Sequence, residues 1–336
     1  MKITKQACIE LGILAGIGLV ALLIPQVFHS RYVISLGINI CVMAAFGSAW
    51  NILGGYAGQI GFAHAAFFSI GAYSAVIPYV YFRLTPWVGM LIGLCISLLA
   101  ALLIGTITLR FKGPYFMLCT IAFIKCIETV LIWQKDITKG LSGLVIPIKG
   151  NHFETLIFKD TIYYYYILIV LMMLSFIISW AVSHSKAGFC MRAIKADENA
   201  AESLGIESKN YKVMAFLISS AIVSILGSVY AFYLAYIDPT AVGGTELAIR
   251  ILSYVVVGGI GNLFGPFLGA ALLVPAVDFA NTVGPNGSGT LIYGLALIII
   301  MRFRPKGLIS FILDDYGHLR RFGKKKAKQV EEVNHE

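Results

Sequence analysis

Apolar runs of about twenty residues follow one another along almost the whole chain, at 8–28, 32–53, 60–81, 87–109, 115–133, 161–182, 213–237 and 246–281, with a shorter one at 290–303. A helix needs about 20 apolar residues to cross the hydrocarbon layer of a bilayer. Inside that layer every backbone polar group must be satisfied without water, so only helices and closed barrels can span it. Of the 336 residues, 58% are hydrophobic and 13% charged, about half the charged share of an ordinary soluble domain. The fold class is therefore all-α, a polytopic membrane helical bundle. Intrinsic disorder is excluded, and so is a nucleic-acid-binding domain, despite a formal net charge of +9. The first run is too long for a signal-peptide core, and Phe28-His29-Ser30-Arg31 carries no small-residue cleavage site, so it is expected to be a retained span. The six cysteines, Cys8, Cys41, Cys95, Cys119, Cys126 and Cys190, show no C-x-x-C spacing and read as small buried hydrophobes.

Orientation follows from counting Lys and Arg on alternate sides. With the amino terminus inside, segments 1–7, 54–59, 110–113, 183–212 and 302–336 hold 18 of the 26 basic residues. Both termini are thus expected in the cytoplasm, which demands an even number of crossings. The region 246–281 decides the parity. Gly258, Gly259, Gly261, Gly265 and Pro266 interrupt it. Split into a short half near 248–260 and a full half near 263–281, it brings the count to ten. The short half reaches only about 20 Å, less than the layer of about 30 Å. Broken backbone at that depth must lie in protein or beside a water-filled cavity. Gly58-Gln59-Ile60-Gly61 and Gly258-Gly259-Ile260-Gly261 match at a constant offset, as do Phe67 and Phe267, which suggests two counterpart elements.

No phosphate loop is present, for Gly323-Lys324 is followed by Lys325, and there is neither H-E-x-x-H nor G-x-S-x-G. The histidines are scattered, and no cluster of catalytic or metal-binding groups can be assembled. Lys125 and Glu128 lie three apart within a span and read as an internally neutralised pair facing the bundle, with a path through the membrane or a subunit contact as the alternative. Glu10 is placed to snorkel to the cytoplasmic surface, and Asp278 to be solvated at the outer end of its helix. His64 follows a glycine-rich turn and is expected to bond a backbone carbonyl freed there.

The strongest local signal is 188–206. Met191 to Leu204 has high helix propensity and no proline, and Gly205 is suited to end that helix in the left-handed conformation. Ile194, Ala201 and Leu204 fall near one stripe, with charges elsewhere. This predicts one amphipathic cytoplasmic helix of about four turns, which either lies on the bilayer or, as its thin alanine face suits better, docks in a protein groove.

Ala200-Ala201-Glu202-Ser203-Leu204-Gly205 resembles the A-A-x-x-x-G core of the cytoplasmic coupling loop in permeases of ATP-driven importers, with Asn199 where a glutamate is usual. Asn51 through Ala65 is similar to the N-L-x-x-G-Y-x-G-Q-x-S-x-G-H-A signature of branched-chain amino acid permeases, with Gly61 and Ala63 in place of Ser and Gly. Tyr115-Phe116 through Gly140-Leu141-Ser142-Gly143-Leu144, the break Gly258 to Pro266, and Arg304-Pro305-Lys306-Gly307-Leu308 follow in the family's order. Together these stretches resemble the LivM-type permease subunit of the branched-chain amino acid ABC transporter family.

The resemblance implies a type II ABC importer-like bundle. Residues 1–308 would form the transmembrane permease domain, with a coupling loop at 183–212 and the broken helix at 246–281, and 309–336 a basic cytoplasmic tail. It implies a bacterial plasma (inner) membrane location, a LivH-type second permease, two cytoplasmic ATPase subunits and an external solute-binding protein, with membrane lipid around them. ATP and Mg would bind the ATPase subunits and no cofactor this chain. ATPase coupling would rest on Gly188, Arg192, Ile194, Lys195, Asp197, Glu198, Ala200, Ala201, Leu204 and Gly205. Gly58, Gln59, Gly61, His64, Gly258, Gly259, Gly261 and Asn262 would line the translocation path. Two alternatives stay open: the same machine carrying urea or short amides, and an autonomous channel or ion-coupled carrier.

Overall fold

The computed structural model describes residues 5–28, 30–111, 113–147, 153–284, 288–303 and 307–309. The expected basic tail from residue 310 on, with Lys324-Lys325-Lys326, lies outside the described residues, as do Arg304 to Lys306. In chain order the helices are α1 (Lys5–Val27), α2 (Arg31–Asn51), α3 (His64–Phe82), α4 (Pro86–Thr108), α5 (Pro114–Trp133), α6 (Lys135–Thr138), α7 (Thr161–His184), α8 (Lys186–Ala196), α9 (Glu198–Ser203), α10 (Ser208–Leu234), α11 (Pro239–Gly243), α12 (Thr245–Gly258), α13 (Gly265–Val283) and α14 (Ser288–Phe303). Nine described helical stretches are long and apolar enough to cross a membrane, and Gly289–Ile300 is a shorter apolar one.

The bundle is built around α2. Its residues from Cys41 onward, and the chain as far as Ala57, are buried without interruption, as expected of a helix apolar on every side. Against it pack α7, α13, α10 and α12, while α3 and α4 clasp α10 on the other flank. In lipid the tails offer no hydrophobic drive to associate, so small residues that let backbones approach do that work. At the α3–α10 crossing, a Cβ on Gly71 would lie 2.0 Å from the Ser224 carbonyl oxygen and one on Gly227 2.2 Å from that of Phe68. Buried Ser228 donates to the Gly71 carbonyl at 2.9 Å, and Ser97 of α4 to Ser224 at 3.0 Å.

The expected break is present, with Gly259 to Phe264 separating α12 from α13. α12 alone has 14 residues, but α11 precedes it directly and the stretch Pro239–Gly258 has 20, long enough to cross a membrane, so the half before the break is not the short one expected. Two boundaries move. The third span begins at His64 rather than Ile60, because α2 continues through a π-helical turn, Ile52–Tyr56, into irregular chain. The seventh begins at Ser208 rather than Val213. Lys212, which resembles a hydrophilic stop, is 1% exposed and held by Glu198 at 2.5 Å. The polar connection after α5 also carries unanticipated structure: β1 (Leu144–Val145) pairs antiparallel with β2 (Tyr236–Ile237) over the end of α10.

Several side chains depart from expectation. Cys95 and Cys126 are exposed rather than buried, the former on α4, which turns large apolar residues outward. Asp278 accepts a 2.7 Å hydrogen bond from Tyr32. Glu10 approaches His184 at 3.6 Å. Lys125 and Glu128 do pair, at 2.7 Å, but the lysine points out of the bundle and only the glutamate faces in.

Because the α3–α10 crossing has no room for a side chain, Gly227→Leu is expected to lower stability by about 1–3 kcal/mol. Gly16→Leu, at a position with nothing within 4 Å of an added Cβ, should leave it unchanged. Thermal unfolding of the two variants in detergent compares them.

Candidate functional site

Three separate sequence signals meet at one place, at the end of the bundle where α2 finishes and α10 begins. The first is the glycine stretch after α2. The α-helical ladder loosens at Gly54-Gly55, and Gly58 turns the chain at φ 74°. Trp50 Nε1 donates to the Gly61 carbonyl at 2.7 Å, and Phe62 N donates to Thr120 Oγ1 of α5 at 3.0 Å. The second is the break between α12 and α13, where Gly259 and Gly261 take φ values of 123° and 85°.

Asn51 joins the two. Its Oδ1 accepts from Gly261 N at 2.8 Å, and its Nδ2 donates to the Asn262 carbonyl at 2.9 Å. A Cβ on Gly55 would fall 3.0 Å from Gly261 Cα, so the two backbones are in contact. Leu308 N, at the end of the R-P-x-G-L stretch, donates to the Val257 carbonyl at 2.9 Å and closes the same corner.

The third signal is 188–206, and here the expected single helix is wrong. Asp197, at φ −158° and ψ 111°, is extended and divides the segment into α8 and α9. Its carboxylate caps α9 by accepting from Ala200 N at 3.0 Å, an N-cap whose strength competes with continuing the helix. Helix α8 is itself capped by Ser185, which accepts from Gly188 N at 3.1 Å. A Cβ on Gly188 would lie 2.2 Å from the Val182 carbonyl oxygen, so α8 turns tightly off α7. Met191 and Ile194 bury its inner face. Gly205 adopts φ 83° after α9.

The charges also distribute unexpectedly. Lys195 reaches back into the bundle, its Nζ donating to the Gly55 carbonyl at 2.7 Å. A Cβ on Gly58 would meet Lys195 Cγ at 2.8 Å, and one on Gly261 its Nζ at 3.3 Å. The ammonium therefore sits between the two glycine breaks, and partial burial pulls its pKa below the usual lysine value. Glu198 faces inward, accepting from Ser208 Oγ at 2.6 Å and from buried Lys212 at 2.5 Å. Arg192 stays outside, donating to the Ser183 carbonyl at 2.8 Å and lying 4.7 Å over the Phe189 ring. Ala201 is buried, whereas Ala200 and Leu204 are exposed, Leu204 at 81% and Phe189 at 65%. A shallow groove of about 420 Å³ lined by Glu202, Gly205, Ser208 and Asn210 adjoins them.

The structure thus brings together Gly58, Gly261, Asn262 and Lys195, with Gln59, Gly258 and Gly259 beside them. His64 is set apart. It is 1% exposed, its Nε2 lies 2.9 Å from Ser219 Oγ, and its ring meets Phe67 and Phe216 edge-on. The expected carbonyl bond is absent: its Nε2 meets a hydroxyl, and the Gly61 carbonyl is bonded by Trp50. Asn51, Trp50 and Lys212 were not singled out from the sequence. An amide within an otherwise apolar run, three residues before the paired glycines Gly54-Gly55, was the available signal for Asn51.

The family described as "Branched-chain amino acid transport system / permease component" matches residues 32–301. The chain belongs to this family. It is 27% identical over 317 residues to the high-affinity branched-chain amino acid transport system permease protein LivM of Escherichia coli, covering 87% of this chain and 74% of that one. It is 26% identical over 302 residues to LivM of Salmonella typhimurium, covering 83% and 70%. To the permease protein BraD of Pseudomonas aeruginosa it is 24% identical over 311 residues, covering 85% and 97%. No solved structure matches it. This permease is a multi-pass membrane protein, and its three characteristic glycine-rich or cytoplasmic motifs converge on one corner of the bundle.

Asn51 satisfies two backbone groups that nothing else described reaches. Asn51→Leu should therefore cost about 2 kcal/mol or more, read as a lower unfolding temperature in detergent, and Asn51→Gln should not restore it, since the longer amide cannot hold the same register.

Proposed function

We propose that this permease forms one half of the membrane channel of an ATP-driven importer of branched-chain amino acids in the bacterial plasma membrane. A LivH-type permease would supply the other half. Two cytoplasmic ATPases would drive it, and an external binding protein would deliver leucine, isoleucine or valine. The basic residues counted above favour both termini, and α8–α9, on the cytoplasmic side.

One observation carries the mechanism: the Lys195 ammonium of α8 is bonded to the carbonyl of Gly55, at the point where α2 gives up its regular ladder. A force on α8 therefore acts directly on the two glycine breaks. The Glu198–Lys212 pair ties α9 to the first turns of α10 in the same way. The coupling element is thus a bent pair of helices anchored at three points, to α7 by Ser185 and Gly188, to the breaks by Lys195, and to α10 by Glu198. The groups it leaves outward are Phe189, Arg192, Ala200 and Leu204, an apolar and basic surface suited to a groove on an ATPase. Closure of the ATPase pair would displace this element and shift α2, α10 and α12 together, and the glycine corner would open or close as the bent backbone changes register. Selectivity would rest chiefly on the binding protein, so the path needs only weak contacts.

Lys195→Met is expected to reduce leucine uptake by about 5- to 150-fold, the span of a typical coupling free energy, while binding-protein-dependent ATP hydrolysis by the assembled transporter continues. Ala201→Pro, which removes the Ala201 N to Asp197 carbonyl bond, should abolish uptake without preventing membrane insertion. The measurement is radiolabelled leucine uptake in proteoliposomes holding the complete transporter. Uptake of urea or acetamide in place of leucine, or uptake by the chain alone without ATP, would overturn the reading.

A further inference from the structure

Helix α5 has 20 residues, about 30 Å, or one bilayer core. Lys125 lies eleven residues from Pro114 and eight from Trp133, about 16 Å and 12 Å from the two ends. That is too deep for its ammonium to snorkel freely to either surface. Yet its side chain is 56% exposed on the chain, while Glu128, its partner at 2.7 Å, is 10% exposed.

The neighbouring residues explain what this face is not. The outward stripe of α5 through mid-depth is Ala122, Lys125, Cys126 and Thr129, flanked toward the two ends by exposed Leu118 and Val130. The outward face of α4 is Leu91, Leu99, Leu103 and Ile107, each above 60% exposed. The second is a surface for lipid tails; the first, small and polar with an open ammonium, is not. A water-filled passage or another protein must cover it.

One consideration favours the passage. The pair is neutral as a unit, so a dry protein contact would strip water from Lys125 with no counter-charge to gain, a costly arrangement. The opposite, buried face of α5 packs on the glycine corner, with Phe116 against Gly61 and Thr120 bonded to Phe62 N, so the helix that carries the pair is seated on that corner.

We propose that Lys125 and Glu128 form a way-station for a zwitterionic amino acid in the passage between the two permeases. The Lys125 ammonium would receive the α-carboxylate and Glu128 the α-ammonium, the internal pair opening as each partner exchanges for the substrate's charge and re-forming as the substrate leaves. This rests on the importer reading above, and it sets an amino acid apart from an uncharged amide, which offers neither charge.

Cys126 supplies a native probe on the same stripe. In the complete transporter, with the remaining cysteines replaced by alanine, Cys126 is expected to react with the water-borne reagent methanethiosulfonate ethyltrimethylammonium during turnover. Leucine should slow that reaction. A transporter keeping only Cys95, on the lipid face of α4, should stay unreactive. Lys125→Met should lower kcat/KM for leucine by about tenfold or more, as for loss of one charged hydrogen bond, and Lys125→Arg should restore most of it. Cys126 inert in the complete transporter but reactive in the isolated chain would mean that a partner subunit covers the stripe, and would overturn the proposal. So would full leucine uptake in Lys125→Met. If the transporter carries no branched-chain amino acid but Cys126 is still shielded by its actual zwitterionic cargo, the importer's named cargo fails and the way-station stands.

Discussion

Backbone amides and carbonyls released inside a membrane bundle have no water to turn to, so each must be met by another part of the protein. That constraint governs this permease. Two of its membrane segments lose their regular ladders, α2 at Gly54-Gly55 and α12 at Gly258-Gly259. Asn51 bridges the two openings with one acceptor and one donor. Trp50 takes the carbonyl of Gly61, Leu308 donates to Val257, and Lys195 comes in from α8 to the carbonyl of Gly55. Irregular backbone at this end of the bundle is stable because the irregular pieces complete one another, and for the same reason none can move alone.

The α8–α9 pair obeys a related rule about charge. A lysine buried in the first turns of α10 would be costly unpaired. Glu198 neutralises Lys212 and at the same time fastens α9 to α10. Asp197 ends α8 and starts α9 with a single carboxylate. Charges that look like a solvated helix face when projected on a wheel are thus divided between anchoring and exposure. Lys195, Asp197 and Glu198 hold the element in place, and Arg192 with Phe189 and Leu204 remains available outside.

The spans were legible because hydropathy reports directly on the solvent each segment must tolerate, and the break between α12 and α13 was legible because glycine and proline interrupt the apolar run; that α11 lengthens the first half to 20 residues was not. The starts of α3 and α10 were not. Residues 57–63 are as apolar as a helix but are held in a turn by Trp50 and Thr120, contacts that come from 11 and 58 residues away. Lys212 counts as a hydrophilic boundary until its partner across the fold is known. His64 was expected to meet a freed carbonyl, but the fold turns its ring to Ser219 of α10 while the indole of Trp50 bonds the Gly61 carbonyl.

The linear order of residues by itself determined that the chain crosses a membrane many times, where its backbone is weakened by glycine, and that one segment between spans is amphipathic, since these follow from local composition and helix length. Only the tertiary structure decided that the two weak points touch, that an amide joins them, and that a lysine from the amphipathic segment lies between them. Those facts depend on the close approach of α2, α10 and α12, which is set by small residues packing across long separations and leaves no periodic trace along the chain.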